Sequence, residues 1–577
     1  QLCSHGPCRI TANASRGICG ATADTIVARN LVRLTNHGAA AYAHHLEEVA
    51  KTIKATAQGK TPYTIADETK LREIAGLVGL DTGKPANELA TELADVILAE
   101  LRKCSDEPLA LVKLFAPPTR LAAWEKLGVI PGGVLSEVRD ALTKSMTSIN
   151  TDPVDLLLTC VRLAIATGYM GLVATITLQD ILLGTPQITT SEADLGIIDT
   201  KAVNIVAHGH VPLVATAVIQ AAQTEEMHQL ARAAGAGGIK VYGSMCTGQE
   251  LMQRNGTTAA GFAGQLGNWL IQEYIVATGA ADLVMMDMNC STPGLKTAAD
   301  RFHTKLVSVD RVVRMEGVTD HVDYDPEQVA EQAKELIKMA IEAYKERGSD
   351  IVIPVQKNAV TAGFSVESIL GALGGSLDPL LDAVKAGAIR GIAAVVGCTN
   401  NRNGHDGQGL AIMQELIKNN VLVITAGCMS SAAQVEGLMR PEAADEAGGS
   451  LAAVCKALGI PPVLNFGSCV DIGRIGVAVT AIANALGVDP SELPVAASAP
   501  EYLEQKAVAD GIFAVSFGLL THIGPVPPVT GSPLVTQILT KDIEQLTGGR
   551  VLVEENPVKA AQAMIAHIDG KRAALGI

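Results

Sequence analysis

Six side chains of the kinds that bind soft or borderline metal ions each stand at the end of a short apolar run. The runs are VNIVAHGH ending at His210, IKVYGSMC at Cys246, ADLVMMDMNC at Cys290, IRGIAAVVGC at Cys398, VLVITAGC at Cys428 and PPVLNFGSC at Cys469. Such runs predict strands buried on both faces of a parallel sheet. Because ligands bind beyond the carboxyl ends of these strands, we expect the six side chains to converge on one metal site.

Three more cysteines, Cys3, Cys8 and Cys19, lie close together in the N-terminal stretch CSHGPCRITANASRGIC. Thiolates at this spacing, in a glycine-containing loop, suit an iron–sulfur cluster, which is usually held by four cysteines. Only three precede the long helical stretch that follows, so the fourth ligand is not identified by this pattern.

The cysteine content, eleven in 577 residues, indicates metal ligation in a reducing compartment rather than a disulfide framework. Cys104, Cys160 and Cys455 lie in helix-like segments, where we expect them to be small buried hydrophobic residues. A cytoplasmic location follows from this reading. No signal peptide is visible, although Gln1 is not a natural start residue.

The overall charge argues against a nucleic-acid or anionic-membrane surface, since the chain carries a formal charge of -15 with a pI near 5.3. Its longest uncharged apolar stretch, LAIATGYMGLVATITL at 163–178, is shorter than a membrane span. We interpret that stretch as a pair of buried helices.

Three regions of the chain differ in their pattern of apolar residues, and together these patterns predict an α/β protein. Residues 1–185 show helical spacing of apolar residues, whereas 186–350 and 351–577 alternate between strand, turn and helix patterns. We therefore predict an N-terminal all-helical domain, which carries the cysteine loop, followed by two Rossmann-like domains with parallel sheets. The six strand-end ligands divide equally between the latter two, so the metal site should lie between domains.

A set of longer motifs points to one family. They are GPCRI, CGATADTIVARN, DPVDLLL with DILLGTP, NIVAHGHVP, MCTGQELMQR, VVGCTNN, TAGC, GSCVDIGR and QKAVADG. With these motifs in family order, the chain resembles the nickel–iron carbon monoxide dehydrogenases of anaerobes over essentially its whole length. The resemblance implies a nickel–iron–sulfur cluster together with [4Fe–4S] clusters.

The resemblance also implies a role for each ligand. His210 and Cys246 would hold a single pendant iron, Cys290, Cys398 and Cys428 the iron–sulfur core, and Cys469 the nickel. This division is chemically sensible, because thiolates suit nickel and iron–sulfur units, whereas an imidazole leaves an iron more Lewis-acidic. Cys3, Cys8 and Cys19 match the second, third and fourth cysteines of the family's N-terminal cluster. The first would precede Gln1, as would a further pair that holds a cluster shared between subunits.

The implied reaction is the reversible oxidation of CO with water to CO2, two protons and two electrons. The pendant iron would bind water and lower the pKa of that water. The resemblance implies that His210 and Lys506 are the catalytic residues. Lys506, in EQKAVADG, matches the family lysine that donates a hydrogen bond to the substrate oxygens. Electrons would pass through the N-terminal cluster to a ferredoxin-like carrier. The family is homodimeric, and whether an acetyl-CoA synthase partner binds is left open, as is the physiological direction.

Two positions depart from the family pattern. Tyr42 stands in place of the nearest histidine of a histidine-rich proton path, and with an ordinary pKa near ~10 it is a poor proton acceptor. Of His44 and His45, which follow, at most one should point inward. Asp510 replaces an apolar residue one turn after Lys506, where we expect it to compete for the lysine's proton donation. His208 is interpreted as a structural or supporting residue.

Three other functions are less consistent with the sequence. A hybrid-cluster protein resembling hydroxylamine reductase would have GHD at the histidine and a glutamate in place of Cys246, so the present ligand set disfavours it. A non-catalytic iron–sulfur redox module would explain Tyr42 and Asp510 but would not need His210 or Lys506. A nucleotide-dependent dehydrogenase is excluded, because the glycine-rich stretch GALGGSLDP is a weak match to a phosphate loop and resembles a helix cap.

Overall fold

The N-terminal region is helical in the computed structural model, which describes residues 3–105, 107–256 and 261–577. Its helices are α1 (Ala23–Ala57), α2 (Glu68–Leu77), α3 (Ala86–Arg102), α4 (Ala110–Phe115), α5 (Pro118–Leu127), α6 (Val134–Lys144), α7 (Pro153–Ala166) and α8 (Thr175–Leu183). The long helix α1 begins at Thr22, whose side chain accepts a hydrogen bond from the Thr25 backbone N–H. It packs against α3, α6 and α7, so most of its length is buried.

The apolar stretch expected to form two helices is instead one continuous helical run, Pro153–Leu183, in which a π-helical segment, Thr167–Ala174, joins α7 to α8. The run continues through the glycines of this segment, which allow neighbouring side chains to pack closely against the helix. A Cβ at Gly168 would lie 2.3 Å from the Phe513 ring. The run is long and apolar enough to cross a membrane by length and composition, but 89% of its most apolar window is buried inside the protein.

The first sheet has seven strands in the order β6-β5-β2-β3-β4-β1-β7. They are β1 (Thr189–Ala193), β2 (Val203–Gly209), β3 (Ile239–Ser244), β4 (Phe262–Gln265), β5 (Leu283–Met286), β6 (Lys305–Ser308) and β7 (Asn358–Ala362). The helices that connect these strands are α9 (Pro212–Ala222), α10 (Glu225–Ala233), α11 (Met245–Asn255), α12 (Gln272–Ala277), α13 (Gly294–Ala299) and α14 (Val329–Lys345). Two further helices, α15 (Val366–Ala372) and α16 (Asp378–Lys385), follow β7 and pack towards the second sheet.

One edge strand of this otherwise parallel sheet is antiparallel. β7 runs antiparallel to β1, with Thr189 opposite Ala362, whereas the other pairs are parallel. β7 lies at the edge of the sheet, next to β1, and an antiparallel edge strand on an otherwise parallel sheet is common. β7 also lies beyond position 350; the domain boundaries at 185 and 350 stay a prediction.

The second sheet has six strands, all parallel, in the order β10-β9-β8-β11-β12-β13. They are β8 (Gly391–Val395), β9 (Val421–Thr425), β10 (Val463–Asn465), β11 (Val495–Ala499), β12 (Leu520–Ile523) and β13 (Arg550–Leu552). Its helices are α17 (Gly407–Lys418), α18 (Cys428–Glu436), α19 (Gly449–Leu458), α20 (Ile472–Leu486), α21 (Gln505–Ser516), α22 (Pro533–Gln537), α23 (Glu544–Thr547) and α24 (Pro557–Leu575).

The three cysteines expected in helices differ in their burial. Cys160 and Cys455 are buried, as predicted, but Cys104 is exposed. The prediction for Cys104 is wrong because α3 ends at Arg102, so this cysteine lies beyond the apolar face of the helix.

The helical region and the second sheet meet closely at one glycine. A Cβ at Gly38 of α1 would lie 2.5 Å from the backbone oxygen of Gln505 and 3.0 Å from the Cα of Lys506. Only a residue without a side chain allows α21 to begin so near α1. This contact brings Lys506 to the face of α1 that carries Tyr42.

Candidate metal centre

His210 follows β2, and its backbone is held by the carboxylate of Asp287, which directly follows β5. Asp287 accepts hydrogen bonds from the backbone N–H of His210 and, at 3.0 Å, of Val211 with the same oxygen. Its other oxygen accepts the Thr247 hydroxyl at 2.6 Å. The His210 ring is buried, and its Nδ1 has no hydrogen-bond partner among the described residues. Asp287 thus fixes the backbone of His210 while leaving a ring nitrogen free to bind a ligand.

Two thiols from different sheets lie next to His210. Cys246 is the second residue of α11, directly after β3, and Cys469 follows β10. The ligand atoms of His210, Cys246 and Cys469 all lie within 4.8 Å of one another. The backbone N–H of Cys469 donates to the Cys246 sulfur at 3.3 Å, which joins the two strand ends. These three donors could bind a single metal ion.

Cys290 is presented by a strained turn after β5. Both Asn289 and Cys290 have left-handed backbones, with φ of 82° and 65°, a conformation that non-glycine residues adopt rarely. The Asn289 side-chain amide donates to Glu504 Oε2 at 2.7 Å. The ligand atoms of Glu504, Cys290 and His210 form a second group within 4.8 Å. The turn is therefore held from the second sheet by Glu504.

Cys398 and Cys428 complete the thiol set at neighbouring strands of the second sheet. Each follows a glycine with positive φ, Gly397 at 95° and Gly427 at 80°, and these glycines pair through an isolated bridge. A Cβ at Gly427 would lie 2.9 Å from the Cys469 sulfur, so a side chain there would crowd the site. Among the described residues, neither cysteine belongs to the two tight groups. This wider spacing suits a cluster better than a single ion.

The pKa values of these side chains indicate whether they suit metal ions. Burial raises the pKa well above its usual range at Cys246, Cys290 and Cys428, and to about 12 at Cys398, with neighbouring acidic groups adding to the effect. Burial also lowers the pKa of His210 well below its usual value, so its imidazole is neutral. Buried thiolates would therefore need cations beside them, and the donor set fits soft transition metals.

Lys506 lies over the site with an ammonium that is almost free. It is 3% exposed, and its Nζ has no hydrogen-bond partner in the described part of the chain. Glu504 is its ion-pair partner at 3.5 Å, and the Tyr42 ring centroid lies 5.4 Å from Nζ. Although burial disfavours the ammonium, Glu504 and the nearby thiolates outweigh this effect and raise the pKa of Lys506. A permanent positive charge with unused donors thus faces the ligands.

Tyr42 and Asp510 form a pair beside Lys506. The Tyr42 hydroxyl donates to Asp510 Oδ2 at 2.9 Å, and both residues are buried. We expected Asp510 to compete for the proton of Lys506, but its hydrogen bond goes to Tyr42. Burial raises the pKa of Asp510 to about 8, despite the Tyr42 hydrogen bond and the charge of Lys506. Burial and Asp510 likewise raise the pKa of Tyr42 well above 10.

The three remaining histidines of interest point to different places. His45 is fully buried, and its Nε2 hydrogen-bonds to Gln179 at 2.8 Å. Burial lowers its pKa to about 3. His44 turns away to Asp310, at 3.3 Å, as neighbours on a helix must diverge. His208, within β2, bonds to Ser244 at 3.0 Å, and burial lowers its pKa to about 4.

The N-terminal cysteines lie in a different environment. Cys8 and Cys19 are exposed and Cys3 is half-buried, and all three precede α1. A Cβ at Gly17 would lie 2.9 Å from the Cys8 sulfur, so the loop folds back closely on this thiol. Within the residues that the structure describes, these three sulfurs do not form a group with all distances under 4.8 Å. Their role as cluster ligands stays a prediction.

A buried ionic network supports the centre from below. Arg474 binds Asp180 through both terminal nitrogens, at 2.6 and 2.7 Å, and Arg254 binds the same carboxylate at 2.8 Å. Arg254 also pairs with Glu250, which accepts the Gln179 amide at 3.1 Å. Asp180 belongs to α8, Arg254 to α11 and Arg474 to α20, so the network joins the helical region to the helices of both sheets.

Sequence patterns missed two supporting residues, Asp287 and Glu504. Asp287 directly follows β5, which is a signal that could have identified it, because side chains at strand ends line the same edge as the ligands. Glu504 has no such signal, since its partner Asn289 lies 215 positions earlier in the chain.

A family model described as Prismane/CO dehydrogenase family matches residues 1–558. The chain belongs to this family. It is 47% identical to carbon monoxide dehydrogenase of Archaeoglobus fulgidus over 579 residues, covering all of this chain and 92% of that protein.

Solved structures agree with this assignment. A nickel-free crystal structure of carbon monoxide dehydrogenase from Thermococcus sp. AM4 matches with a TM-score of 0.96 and 42% identity, covering 100% of this chain and 91% of that one. An acetyl-CoA synthase/carbon monoxide dehydrogenase structure, described as holding NiZn[Fe4S4] and NiNi[Fe4S4] clusters in its alpha subunits, matches with a TM-score of 0.96 and 36% identity over 100% and 88% of the two chains. The family resemblance and the α/β fold with a helical N-terminus are confirmed.

Proposed function

We propose that this chain is a nickel–iron carbon monoxide dehydrogenase that reversibly oxidises CO with water to CO2, two protons and two electrons. The observation that carries the proposal is the grouping of His210 with Cys246 and Cys469, and with Cys290, within 4.8 Å. Cys398 and Cys428 lie at adjoining strand ends, and the buried ammonium of Lys506 is close to these thiols. The similarity to carbon monoxide dehydrogenases over the whole chain supports it. A hybrid-cluster protein would not need the Cys246 thiol.

In this proposal both sheets contribute ligands to one cluster. His210 and Cys246 would hold a single iron, Cys290, Cys398 and Cys428 would hold the iron–sulfur core, and Cys469 would hold the nickel. When bound, the cluster supplies a binding site for CO, a Lewis acid for water and an acceptor for electrons. The backbone nitrogen of Cys469 lies 3.3 Å from the Cys246 sulfur, so the residues that would hold the nickel and the single iron are neighbours.

Lys506 would stabilise the negative charge that develops on the substrate oxygens. Its ammonium has no competing hydrogen bond among the described residues, and it is nearly closed to solvent. In such a site a fixed charge acts more strongly than in water. Glu504 holds Lys506 on one side and the Cys290 turn on the other, at 3.5 and 2.7 Å. Glu504 would therefore hold the ammonium at a fixed position relative to the Cys290 turn.

The N-terminal loop would carry electrons away from the centre. Cys3, Cys8 and Cys19 would hold a [4Fe–4S] cluster, and the exposure of Cys8 and Cys19 supports transfer to an external, ferredoxin-like carrier. We further propose a cytoplasmic homodimer. An acetyl-CoA synthase partner is not part of the proposal.

The test is anaerobic purification, incubation with Ni²⁺ and a reductant, and measurement of metal content and CO-dependent viologen reduction. We expect about one nickel and several irons per chain, with sustained turnover. Iron without nickel would favour the hybrid-cluster reading, and metal without turnover would favour a redox module.

A matched pair of variants makes this test specific. Cys428→Ser should lose iron and activity, whereas Cys455→Ser, which changes a buried thiol outside the site, should keep both. Full iron content and activity in Cys428→Ser would contradict the proposed ligand set.

A further inference from the structure

A second group of metal-binding side chains lies apart from the central ligands, where α1 passes the carboxyl end of β6. His44 and Glu48 stand at positions i and i+4 of α1, so they share one face of the helix. Asp310 lies just beyond the end of β6. One ligand atom from each of these three residues lies within 4.8 Å of the other two. We call this group the α1–β6 cluster.

The distances within the α1–β6 cluster match a metal coordination shell. Nε2 of His44 lies 3.3 Å from Oδ2 of Asp310 and 3.5 Å from Oε1 of Glu48. Ligand atoms held at about 2.0–2.2 Å from Zn²⁺ in a tetrahedron are separated from one another by roughly 3.3–3.6 Å. The imidazole is therefore already spaced from both carboxylates as it would be around the ion.

The cluster is enclosed, yet one of its carboxylates is unsatisfied. The side chains of Asp310, Glu48 and His44 are 2%, 12% and 13% exposed. Oδ1 of Asp310 accepts the backbone N–H of Val312 at 3.0 Å, which fixes this carboxylate. The carboxylate of Glu48 makes no hydrogen bond within the described part of the chain, and its ion-pair contact is His44. A nearly buried anion that faces the cluster in this way costs free energy unless a cation binds it.

The surrounding charges also favour a cation. Burial and the negative charge of Asp310 raise the pKa of Glu48 to about 7, because carboxylates this close repel one another. Among the described residues, Arg311 makes no ion pair with either carboxylate, and Lys51 is paired elsewhere on α1. Without metal, only the proton that His44 shares with Asp310 offsets the two charges. A divalent cation at Nε2 would replace that proton and supply a second positive charge.

We propose that His44, Glu48 and Asp310 bind a divalent cation of the zinc type, with water as the fourth ligand. An imidazole and two carboxylates suit Zn²⁺, and three protein ligands with one open position are typical of zinc sites that solvent reaches. Because the ligands come from α1 and the end of β6, the ion would fasten the helical region to the first sheet. The site is separate from the nickel–iron centre and does not depend on the proposed reaction.

Anomalous diffraction at the zinc absorption edge tests the site in protein already loaded with nickel and iron. After exposure to Zn²⁺, crystals should show a zinc peak about 2.0–2.2 Å from Nε2 of His44 and from one oxygen each of Glu48 and Asp310. Data at the nickel and iron edges distinguish this peak from the central cluster. Zinc found only at the central cysteines, or only on exposed side chains, overturns the proposal.

Equilibrium dialysis of the same loaded protein measures zinc binding in solution. Glu48→Gln and Asp310→Asn should each weaken binding by at least roughly 100-fold, since each removes a charged ligand. Glu47→Gln, the matched control, changes a neighbouring carboxylate that pairs with Lys51 and Arg102, and should bind zinc as the wild type does. Nickel and iron content should stay the same in all variants.

Two outcomes in solution would contradict the α1–β6 site. Equal zinc affinity in Glu48→Gln and Glu47→Gln overturns the proposal, and so does binding that occurs at crystal concentration only. If Asp310→Asn does not fold, Glu48→Gln decides the question alone, because its side chain makes no hydrogen bond in the described chain that the fold would lose. Melting temperatures provide a second readout, since Zn²⁺ should stabilise the wild type and Glu47→Gln but not Glu48→Gln.

Discussion

The central site and the N-terminal loop hold their cysteines in opposite ways. In the centre, strand ends from two sheets position the ligands, and Asp287 and Glu504 hold the connecting turns with buried hydrogen bonds. In the loop, Cys8 and Cys19 are exposed, and no named helix or strand of the described chain precedes α1. The fold thus positions the central donors through buried contacts, whereas the N-terminal cysteines have few such supports.

The largest expected difference concerns metal retention. Cys469→Ser should remove nickel and lower CO-dependent turnover by more than the roughly 10–100-fold that is typical of a residue supporting a ligand. Cys8→Ser should keep nickel at the central site and lose electron transfer out of it. Metal analysis and viologen assays on both variants check this. Loss of nickel from Cys8→Ser would show that the two sites are not independent.

Next in size is the effect of the buried ammonium. Lys506→Met keeps the length of the side chain and removes its charge, and we expect kcat to fall roughly 100- to 1,000-fold with metal content unchanged. The exposed Lys456, paired with Asp445, provides a control as Lys456→Met. Equal activity in the two variants would remove Lys506 from the proposed reaction.

Thiol reactivity compares the two regions without any substitution. In metal-free protein, Cys8, Cys19 and Cys104 should react quickly with a disulfide reagent, because they are exposed. The buried thiols Cys246, Cys398, Cys428 and Cys469 should react at least about 100-fold more slowly, since each requires local opening. Mass spectrometry of labelled peptides identifies them, and equal rates would show that the centre is not pre-arranged.

A smaller effect is expected at the support of His210. Asp287→Asn weakens the hydrogen bonds to the His210 backbone and to Thr247, and should reduce iron affinity about 10-fold. Competition with a chelator measures this, and Asp300→Asn, a surface change, is the control. Unchanged iron affinity would mean that the turn after β2, which contains His210, keeps its position without the Asp287 carboxylate.

The smallest prediction concerns pH. Asp510 has a folded pKa of about 8, above the value of about 3.9 in an unfolded chain, so folding takes up a proton there. Its stabilising contribution is complete below pH ~4 and is lost as pH rises to ~8. Asp510→Asn should therefore gain stability relative to wild type between pH 7 and pH 9, by on the order of 1–2 kcal/mol. Melting temperatures at both values check this; a constant difference would contradict it.

The sequence was sufficient to predict site residues where a metal-binding side chain directly follows a predicted strand. Cys246 and Cys428 follow uninterrupted β-forming runs, and parallel strands place their carboxyl ends at one edge, so the convergence could be predicted. The alternation of strand and helix patterns likewise predicted the α/β class. The antiparallel β7 escaped prediction because strand direction at a sheet edge depends on tertiary packing.

Pairings between distant residues could not be predicted. The Tyr42 hydroxyl and Asp510 are 468 positions apart, and their contact depends on how α21 packs on α1 at Gly38. Cys104 was assigned to the wrong environment because a helical pattern does not reveal where a helix ends within two or three residues.

The ionic network of Asp180, Arg254 and Arg474 has a consequence for chimaeric proteins. Its members come from α8, α11 and α20, so exchanging any one of these three regions with that of a relative can leave a buried charge without its partner. Breaking a buried pair in this way typically costs about 3–5 kcal/mol, a large part of the stability of a folded domain. Recombination among relatives is therefore restricted to crossovers that transfer the matching charges together, and the three regions are expected to be inherited as one unit.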